Sequence, residues 1–319
     1  MRPSRTLMAT LTFGALMVGA CGDDGGDDSI PMTGNRPTTT VEEEGEESAA
    51  TFPVTVQAAN GPVDIAEQPD SIVSLSPTAT EMAFAIDAGG QVVAVDDQSD
   101  FPTEAPVTEL SGVQPNVEAI SGYEPDLVLV QDDTAIAELN ALSIPVLLLP
   151  PAATLDDSYT QIEQLGQATG HPTEATELVE TMRTTVDGLV ADPDSTGDQS
   201  DAVTVYHELD NTLYTVTAES FIGDIYTLAG LANIAADIGG DGSGYVQISP
   251  EQVVDANPDW IFVAYPGDTA IADLGARPGW NQVTAVQSDQ VVALDPDIAS
   301  RWGPRSVELL RTILDTTGT

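Results

Sequence analysis

The sequence predicts an α/β protein built as two lobes, each a parallel sheet with helices on its faces. Three observations predict it. Strand-like apolar runs alternate with helical patterns along both halves of the chain, as parallel sheets require. A short element occurs twice. Asn116-Val117-Glu118 is followed, after six residues, by Pro125-Asp126 and the apolar run Leu127–Val130; Ser249-Pro250-Glu251 is followed, after six residues, by Pro258-Asp259 and Trp260–Val263. Between the copies, Pro172–Val190 places Ala175, Leu178, Val179, Met182, Val186 and Leu189 on helical spacing. That helix is about 28 Å long at 1.5 Å per residue.

Composition narrows the function. The chain has 319 residues, 41% of them apolar, enough for two ordinary domains with real cores. It carries 52 acidic residues against 8 basic ones; all eight bases are arginine, none is lysine, and the net charge is -44. Nucleic acid and anionic membranes are excluded as partners, because binding phosphate needs a basic face. The acidity reads as solubility in a saline habitat, where salt screens the self-repulsion, with specific cation binding as the alternative. The single cysteine, Cys21, allows no intramolecular disulfide.

In chain order, residues 1–21 read as a targeting segment. Arg2 and Arg5 precede an apolar run at 7–18, too short to span a bilayer, which ends Val18-Gly19-Ala20-Cys21. This resembles the bacterial lipobox, in which the cysteine becomes the lipid-bearing first residue; a plain signal peptide with an incidental cysteine is the alternative. Residues 22–50 are rich in Gly, Asp, Glu, Thr and Ser and predict a disordered acidic tether, with a reach on the order of 30 Å. A strand at 52–56 and a turn at Asn60-Gly61 predict a hairpin. A strand at 72–75 leads through Ser76-Pro77 into a helix, with Thr78 and Glu81 at capping-box spacing. Gly89-Gly90 stops that helix. Strands follow at 92–95 and 127–130, a helix at 135–142 and a strand at 144–149. Helices are predicted at 155–168 and Pro172–Val190, with Pro172 just inside the second, where its missing N–H costs nothing. After a polar break at 192–199 the alternation resumes: a strand at 202–206, a helix at 221–229, a flexible loop at 239–244, the second repeat, a helix at 280–286, a strand at 291–294 and a helix at 305–314.

Glu118 and Glu251 sit in the first turns of capped helices, where an acid complements the helix dipole by about 0.3–1 kcal/mol. The repeat also implies one exposed acid in the equivalent place on each lobe. The run Ile72 to Glu81 (IVSLSPTATE), Ser99-Asp100-Phe101-Pro102, both repeats, Tyr214 to Phe221 (YTVTAESF), Trp280 near Ala285-Val286, and Gly303-Pro304-Arg305 occur in that order over about residues 54–316. Together they resemble the helical-backbone substrate-binding proteins of ABC importers for cobalamin, ferric siderophores and related metal chelates.

The resemblance implies two Rossmann-like α/β lobes with parallel sheets joined by a single long helix. The lobes would be 51–170 and 192–319, with the helix at 171–191 between them. It implies a lipid-anchored, extracytoplasmic protein that binds a ferric siderophore, haem or corrinoid between the lobes, catalyses nothing and needs no cofactor. The permease dimer would be met through Glu118 and Glu251, and the membrane only through the lipid on Cys21. Cleft positions fall at Gln98, Gln131, Tyr214, Tyr245 and Arg301, with Trp302 beside the last. Two of these positions are glutamine where cobalamin binders often carry aromatics, which departs from the cobalamin pattern. Arg301 suits a carboxylate, catecholate or phosphate on a ligand, or else a surface ion pair. The tyrosines suit a ligand face, or else core packing.

His171 and His207 are the only histidines, too few with no available thiol for a transition-metal site. His171 reads as a solvated residue before a helix, and His207 as a residue turned toward the cleft. Asp192-Pro193-Asp194 imitates a calcium loop but has Val203 in the twelfth position instead of Glu. Gly240 to Gly244 lacks dinucleotide spacing, and no G-x-S-x-G elbow occurs. The rival reading is an exported enzyme acting on a metal chelate on the same scaffold, with His207, Glu208 and Asp210 as its acid–base candidates.

Overall fold

The computed structural model describes residues 51–190, 202–239, 242–265 and 270–319. The targeting segment, Cys21, the tether and the polar break at 192–199 lie outside the described residues.

An antiparallel hairpin of β1 (Val54–Ala58) and β2 (Gly61–Ile65) precedes the first sheet. Ala58 pairs with Gly61, so the turn is Ala59-Asn60, one residue earlier than expected. Gly61 takes φ 96°, a conformation that favours glycine. The first lobe then runs β3 (Ile72–Ser74), α1 (Pro77–Ala85), β4 (Val92–Val95), α2 (Val117–Ser121), β5 (Leu127–Val130), α3 (Ile136–Ala141) and β6 (Val146–Leu148). Its four strands are parallel in the order β4-β3-β5-β6. Both β3 and β5 are buried along their whole length, which is why they are apolar runs and do not alternate. Asn60 pins the hairpin to this sheet: its amide donates to the Val146 carbonyl at 2.9 Å and accepts from the Leu148 N–H at 3.3 Å.

Two helices follow, α4 (Leu155–Thr169) and α5 (Pro172–Val190). A capping box of Thr154 and Asp157 starts α4, and Gly170 ends it at φ 87°. Helix α5 buries Ala175, Val179, Met182 and Val186, one stripe at helical spacing, and packs on α4 and on the C-terminal helix α11 (Ser306–Thr317).

The second lobe contains β7 (Thr204–Glu208), β8 (Tyr214–Val216), α6 (Phe221–Leu228), β9 (Ala232–Asn233), β10 (Tyr245–Gln247), α7 (Pro250–Ala256), β11 (Trp260–Val263), α8 (Ala270–Leu274), α9 (Thr284–Gln287), β12 (Val291–Ala293), α10 (Pro296–Ser300) and α11. Its four-stranded sheet is again parallel, in the order β12-β11-β7-β9. The two sheets are wound alike: in the first lobe β3 lies inside with β4 on one side and β5 and β6 on the other, and in the second β7 lies inside with β9 on one side and β11 and β12 on the other. The repeated Pro-Asp strands, β5 and β11, occupy the same slot beside the inner first strand. The expected helix at 280–286 is broken into a 3-10 turn at Trp280–Gln282 and α9. Strands β8 and β10 form a separate antiparallel ribbon that sequence periodicity did not reveal.

The structure accounts for the Pro-Asp pair. In the first lobe the Asp126 carboxylate accepts the N–H groups of Asp70 and Ser71, both at 3.0 Å, at the start of β3. In the second, the Asp259 carboxylate accepts the N–H and hydroxyl of Thr204, both at 2.8 Å, at the start of β7. Each aspartate thus clasps the neighbouring inner strand at its amino end, where an acid satisfies N–H groups with no ladder partner.

The start of α1 corrects an expectation. Ser76, not Thr78, is the cap: its hydroxyl accepts from the Ala79 N–H at 3.3 Å, and Pro77 fills the first helical position. Glu81 is thereby released from capping. The apolar core runs through both lobes as one cluster, from Val56 in the hairpin through Met82, Leu129, Ile162 and Val179 to Phe262 and Leu310. Smaller clusters fill the far face of each sheet.

Candidate functional site

In open α/β sheets the loops at the carboxyl ends of the strands are where ligands are held, at the point where the winding reverses. In the first lobe that point lies between β3 and β5. It is spanned by Ser76 and Gln131, the hydroxyl and side-chain carbonyl 3.4 Å apart. In the second lobe the ends of β7 and β11 are closed by Glu208 and Tyr265, whose hydroxyl donates to Glu208 at 2.6 Å, and by Arg277, which forks onto the same carboxylate at 2.6 and 2.8 Å. Arg277 also lies 4.5 Å from the centre of the Trp280 ring.

The carboxyl edges of the two sheets are tied together. Arg301, on the segment after α10, reaches α1 and the loop after β4 in the other lobe. Its Nη1 donates to Glu81 Oε1 at 2.8 Å, and its Nη2 meets the Gln98 carbonyl at 2.9 Å, Asp100 at 3.1 Å and Asp297 at 2.9 Å. Arg305 grips the same Glu81 through Nε at 2.9 Å and Nη2 at 2.5 Å, and its guanidinium lies 4.2 Å over the Phe101 ring. Glu81 is 2% exposed and Arg301 7%, so this is a buried interlobe bridge and not the surface ion pair that composition allows. Burial opposes the charge on Arg301, but its bonds to carboxylates, Glu81 foremost, outweigh that and its pKa rises. For Arg305 the bond to Glu81 is the leading influence, with the same result. Both stay cationic. Trp302 completes the seam: its Nε1 donates to Gln161 on α4 at 2.9 Å, and its carbonyl accepts from the Ser158 hydroxyl.

Tyr214 and Tyr245 are 44% and 42% exposed, which rules out core packing for them. Tyr214 pairs with Gln247 and Val216 with Tyr245, so the tyrosines stand diagonally on one face of the β8–β10 ribbon. Gly244, at φ 80°, sets up the ribbon: a Cβ there would come within 2.9 Å of Ser220. Gln98 is exposed, and its carbonyl joins it to Arg301; Gln131 is half-buried beside Ser76. No hydrogen bond among the described residues joins the tyrosines to the glutamines; they belong to different lobes. Two open surface grooves lie elsewhere, one beside Asn60 and Asn140, the other beside Pro150 and Gln164, and neither includes these four residues.

Glu118 and Glu251 are both exposed, in the first turns of α2 and α7. Their caps are the expected ones: Asn116 accepts from the Ala119 N–H at 3.1 Å, and Ser249 forms a capping box with Gln252. Neither glutamate's carboxylate takes part in an ion pair or hydrogen bond among the described residues.

A comparison with protein-family models matches residues 72–298, more than two thirds of the chain, to the family described as periplasmic binding protein. The chain belongs to the periplasmic binding protein family. Two relatives span most of it: an ABC transporter substrate-binding lipoprotein of Bacillus subtilis, itself uncharacterized, is 30% identical over 97% of this chain and 95% of its own. A cobalamin-binding protein of Halobacterium salinarum is 31% identical over 82% of this chain and 73% of its own. Among solved structures, the periplasmic vitamin B12 binding protein of Vibrio cholerae superposes with a TM-score of 0.64 and 27% identity, over 78% of this chain and 96% of that one.

In this periplasmic binding protein two of the three acid–base candidates are buried and the third is engaged in a local turn. His207 does not face the cleft: the ring is fully buried, Nδ1 lies 2.8 Å from the Tyr226 hydroxyl, and burial lowers its pKa to about 4. Glu208 is fully buried in the Arg277 fork, and Asp210 accepts from the N–H and hydroxyl of Thr212 in a local turn. Strand β7 carries the histidine inward because both faces of its sheet are covered. Among the described residues no group of three His, Cys, Asp or Glu side chains is placed to hold a metal ion, and no helix is long and apolar enough to cross a membrane. Sequence reasoning missed Glu81, Arg305 and Phe101. All three lay inside the motifs that carry the resemblance, and for Arg305 the rarity of arginine in so acidic a chain was a further signal.

Proposed function

We propose that this chain is the lipid-anchored, extracytoplasmic substrate-binding protein of an ABC importer, which captures a ferric siderophore or cobalamin-like chelate between its lobes and hands it to a permease. The observation that carries the reading is the Glu81–Arg301 bridge. It sets the carboxyl edges of two parallel sheets against each other, and both edges are the ligand-binding ends of such sheets. The names of the relatives, substrate-binding lipoprotein and cobalamin-binding protein, support it. Gln98, Gln131, Tyr214 and Tyr245 are the proposed ligand contacts, amides on one side and ring faces on the other. Arg301 and Trp302 belong to the site as its floor: their polar groups are engaged across the seam, and they shape the cleft from beneath. Cys21 carries the lipid, the acidic residues 22–50 form the tether, and lobes at 51–170 and 192–319 flank the helix at 171–191.

Glu118 and Glu251 are the proposed permease contacts. Helices between parallel strands run opposite to them, so the amino ends of α2 and α7 lie toward the carboxyl edges, one acid per lobe. Two measurements test this. Cobalamin or a ferric siderophore added to the purified protein should quench tryptophan fluorescence saturably, one per chain, with no product formed; turnover would replace the binding reading with an enzymatic one. Converting both Glu118 and Glu251 to Ala should leave that quenching intact and abolish stimulation of the transporter. Unchanged uptake would remove the docking role.

A further inference from the structure

Resting on the chelate-binding reading, we propose that the cleft discriminates by charge: it accepts uncharged or cationic metal chelates and rejects anionic ones. Two independent observations carry this, an inventory of cations and an inventory of exposed apolar groups.

The chain has no lysine, and five of its arginines lie among the described residues. Arg183 pairs with Asp156 at 2.8 Å and covers Tyr159. Arg277 is forked onto Glu208. Arg301 and Arg305 share Glu81. Of these five, Arg311 alone has no carboxylate partner among the described residues, and it is exposed on α11. The two arginines nearest the cleft are thus already neutralised. Arg301 Nη2 has three acceptors for its two N–H groups. An anionic ligand could be met by charge only by competing with carboxylates already in place, the buried Glu81 on Nη1 or the exposed Asp100 and Asp297 on Nη2. The acids at the same edges are less well served. Asp97, Asp132 and Asp133 are exposed, Asp210 is half-exposed, and none of the four pairs with a cation among the described residues. In a protein of net charge -44 their field falls on the cleft with nothing to cancel it.

What the cleft does offer is neutral. Of the nine large apolar side chains exposed among the described residues, five lie on segments leaving the carboxyl edges: Phe101, Val107 and Val113 on the loop after β4, and Tyr214 and Tyr245 on the ribbon after β7. Gly112, beside Val113, fixes that loop over the strand ends: a Cβ there would come within 2.7 Å of the Leu75 carbonyl and the Asp96 carboxylate. Aromatic faces take apolar bodies and also attract cations. The amides of Gln98 and Gln131 donate and accept without charge. These groups fit a chelate with an apolar or amide-fringed body.

Matched ligands isolate charge from shape. One series is the ferric desferrioxamine chelate with its free amine (cationic), N-acetylated (uncharged) and N-succinylated (anionic). The other is cyanocobalamin and its monocarboxylate, in which one side-chain amide is hydrolysed. Haem and a ferric tris-catecholate serve as further anions. Calorimetry on the full chain at about 0.05 M and about 1 M NaCl should show, in at least one series, the anionic member bound about tenfold or more weakly than its uncharged parent at low salt. The gap should shrink at high salt, where the Debye length falls to about 3 Å. Gln98→Arg, which adds an unneutralised cation, should narrow the low-salt gap by about tenfold. Equal or tighter binding of the anionic member, or tight binding of haem or the tris-catecholate, overturns the charge inference while leaving the chelate reading standing. No binding by any member overturns the chelate reading, and this inference with it.

Discussion

Single residues carry opposite lessons in Glu81 and His207. Glu81 sits in a segment that local rules read as a helix start, yet its carboxylate is the shared acceptor of two arginines 220 and 224 residues away. His207 looks like a chemical group near a cleft, yet it is sealed in the core beside Tyr226 with Nε2 unsatisfied. Its pKa is about 4 in the folded protein against 6.5 for the ordinary side chain. The unfolded chain therefore binds a proton first as pH falls, and stability attributable to this residue is complete above about pH 6.5 and lost progressively down to about pH 4. The full loss is about 3 kcal/mol, at roughly 1.4 kcal/mol for each tenfold difference in proton affinity between the folded and unfolded chain. His207→Gln keeps a partner for Tyr226 and removes the titration. In urea unfolding from pH 7 to pH 4, the difference in stability between wild type and variant should move toward the variant by about that amount; a constant difference would contradict the assignment.

At the level of elements, the repeated Glu and Pro-Asp motif divides into a structural part and a part left over. The apolar run is a strand buried between layers, and the aspartate clasps the amino end of the inner strand beside it. Because Asp126 and Asp259 do the same work in equivalent slots, Asp126→Ala and Asp259→Ala should each destabilise by about 1.5–3 kcal/mol, the range for hydrogen bonds to a charged group. Chemical denaturation measures both. An effect in one lobe only would show that the clasps are not equivalent. The glutamates are not consumed by this account: α2 and α7 are capped by Asn116 and Ser249 without them.

Across the whole molecule, the lobes are joined by more than α5. One apolar cluster crosses between them, and the Glu81 hub, Trp302 with α4, and Asp224 accepting the Leu155 N–H at 3.1 Å add polar ties. Removing the hub's centre leaves the buried Arg301 and the half-buried Arg305 short of the acid they share. Glu81→Ala is therefore expected to cost about 3–5 kcal/mol, as breaking a buried pair from one side does. The urea midpoint should fall with the transition remaining single if the lobes unfold together. A loss below about 1 kcal/mol would make the hub incidental.

The amino-acid sequence by itself determined what depends on near neighbours: the α/β class, the two similar lobes, the start of α5 at Pro172, and the caps at Asn116 and Ser249. These rest on periodicity and on hydrogen bonds spanning three or four residues, which a linear reading contains. It also contained the acid excess and the scarcity of cations, though not which arginines were spent. Only the tertiary structure decided that. Glu81, Arg301 and Arg305 meet across 220 and 224 residues. The strands of the tyrosine ribbon, three residues each and separated in the chain by α6 and β9, have no local pattern strong enough to announce their pairing. Burial of His207 was likewise decided by the layers packed on both faces of its sheet, because a strand covered on two sides has no polar alternation to say which way a side chain points.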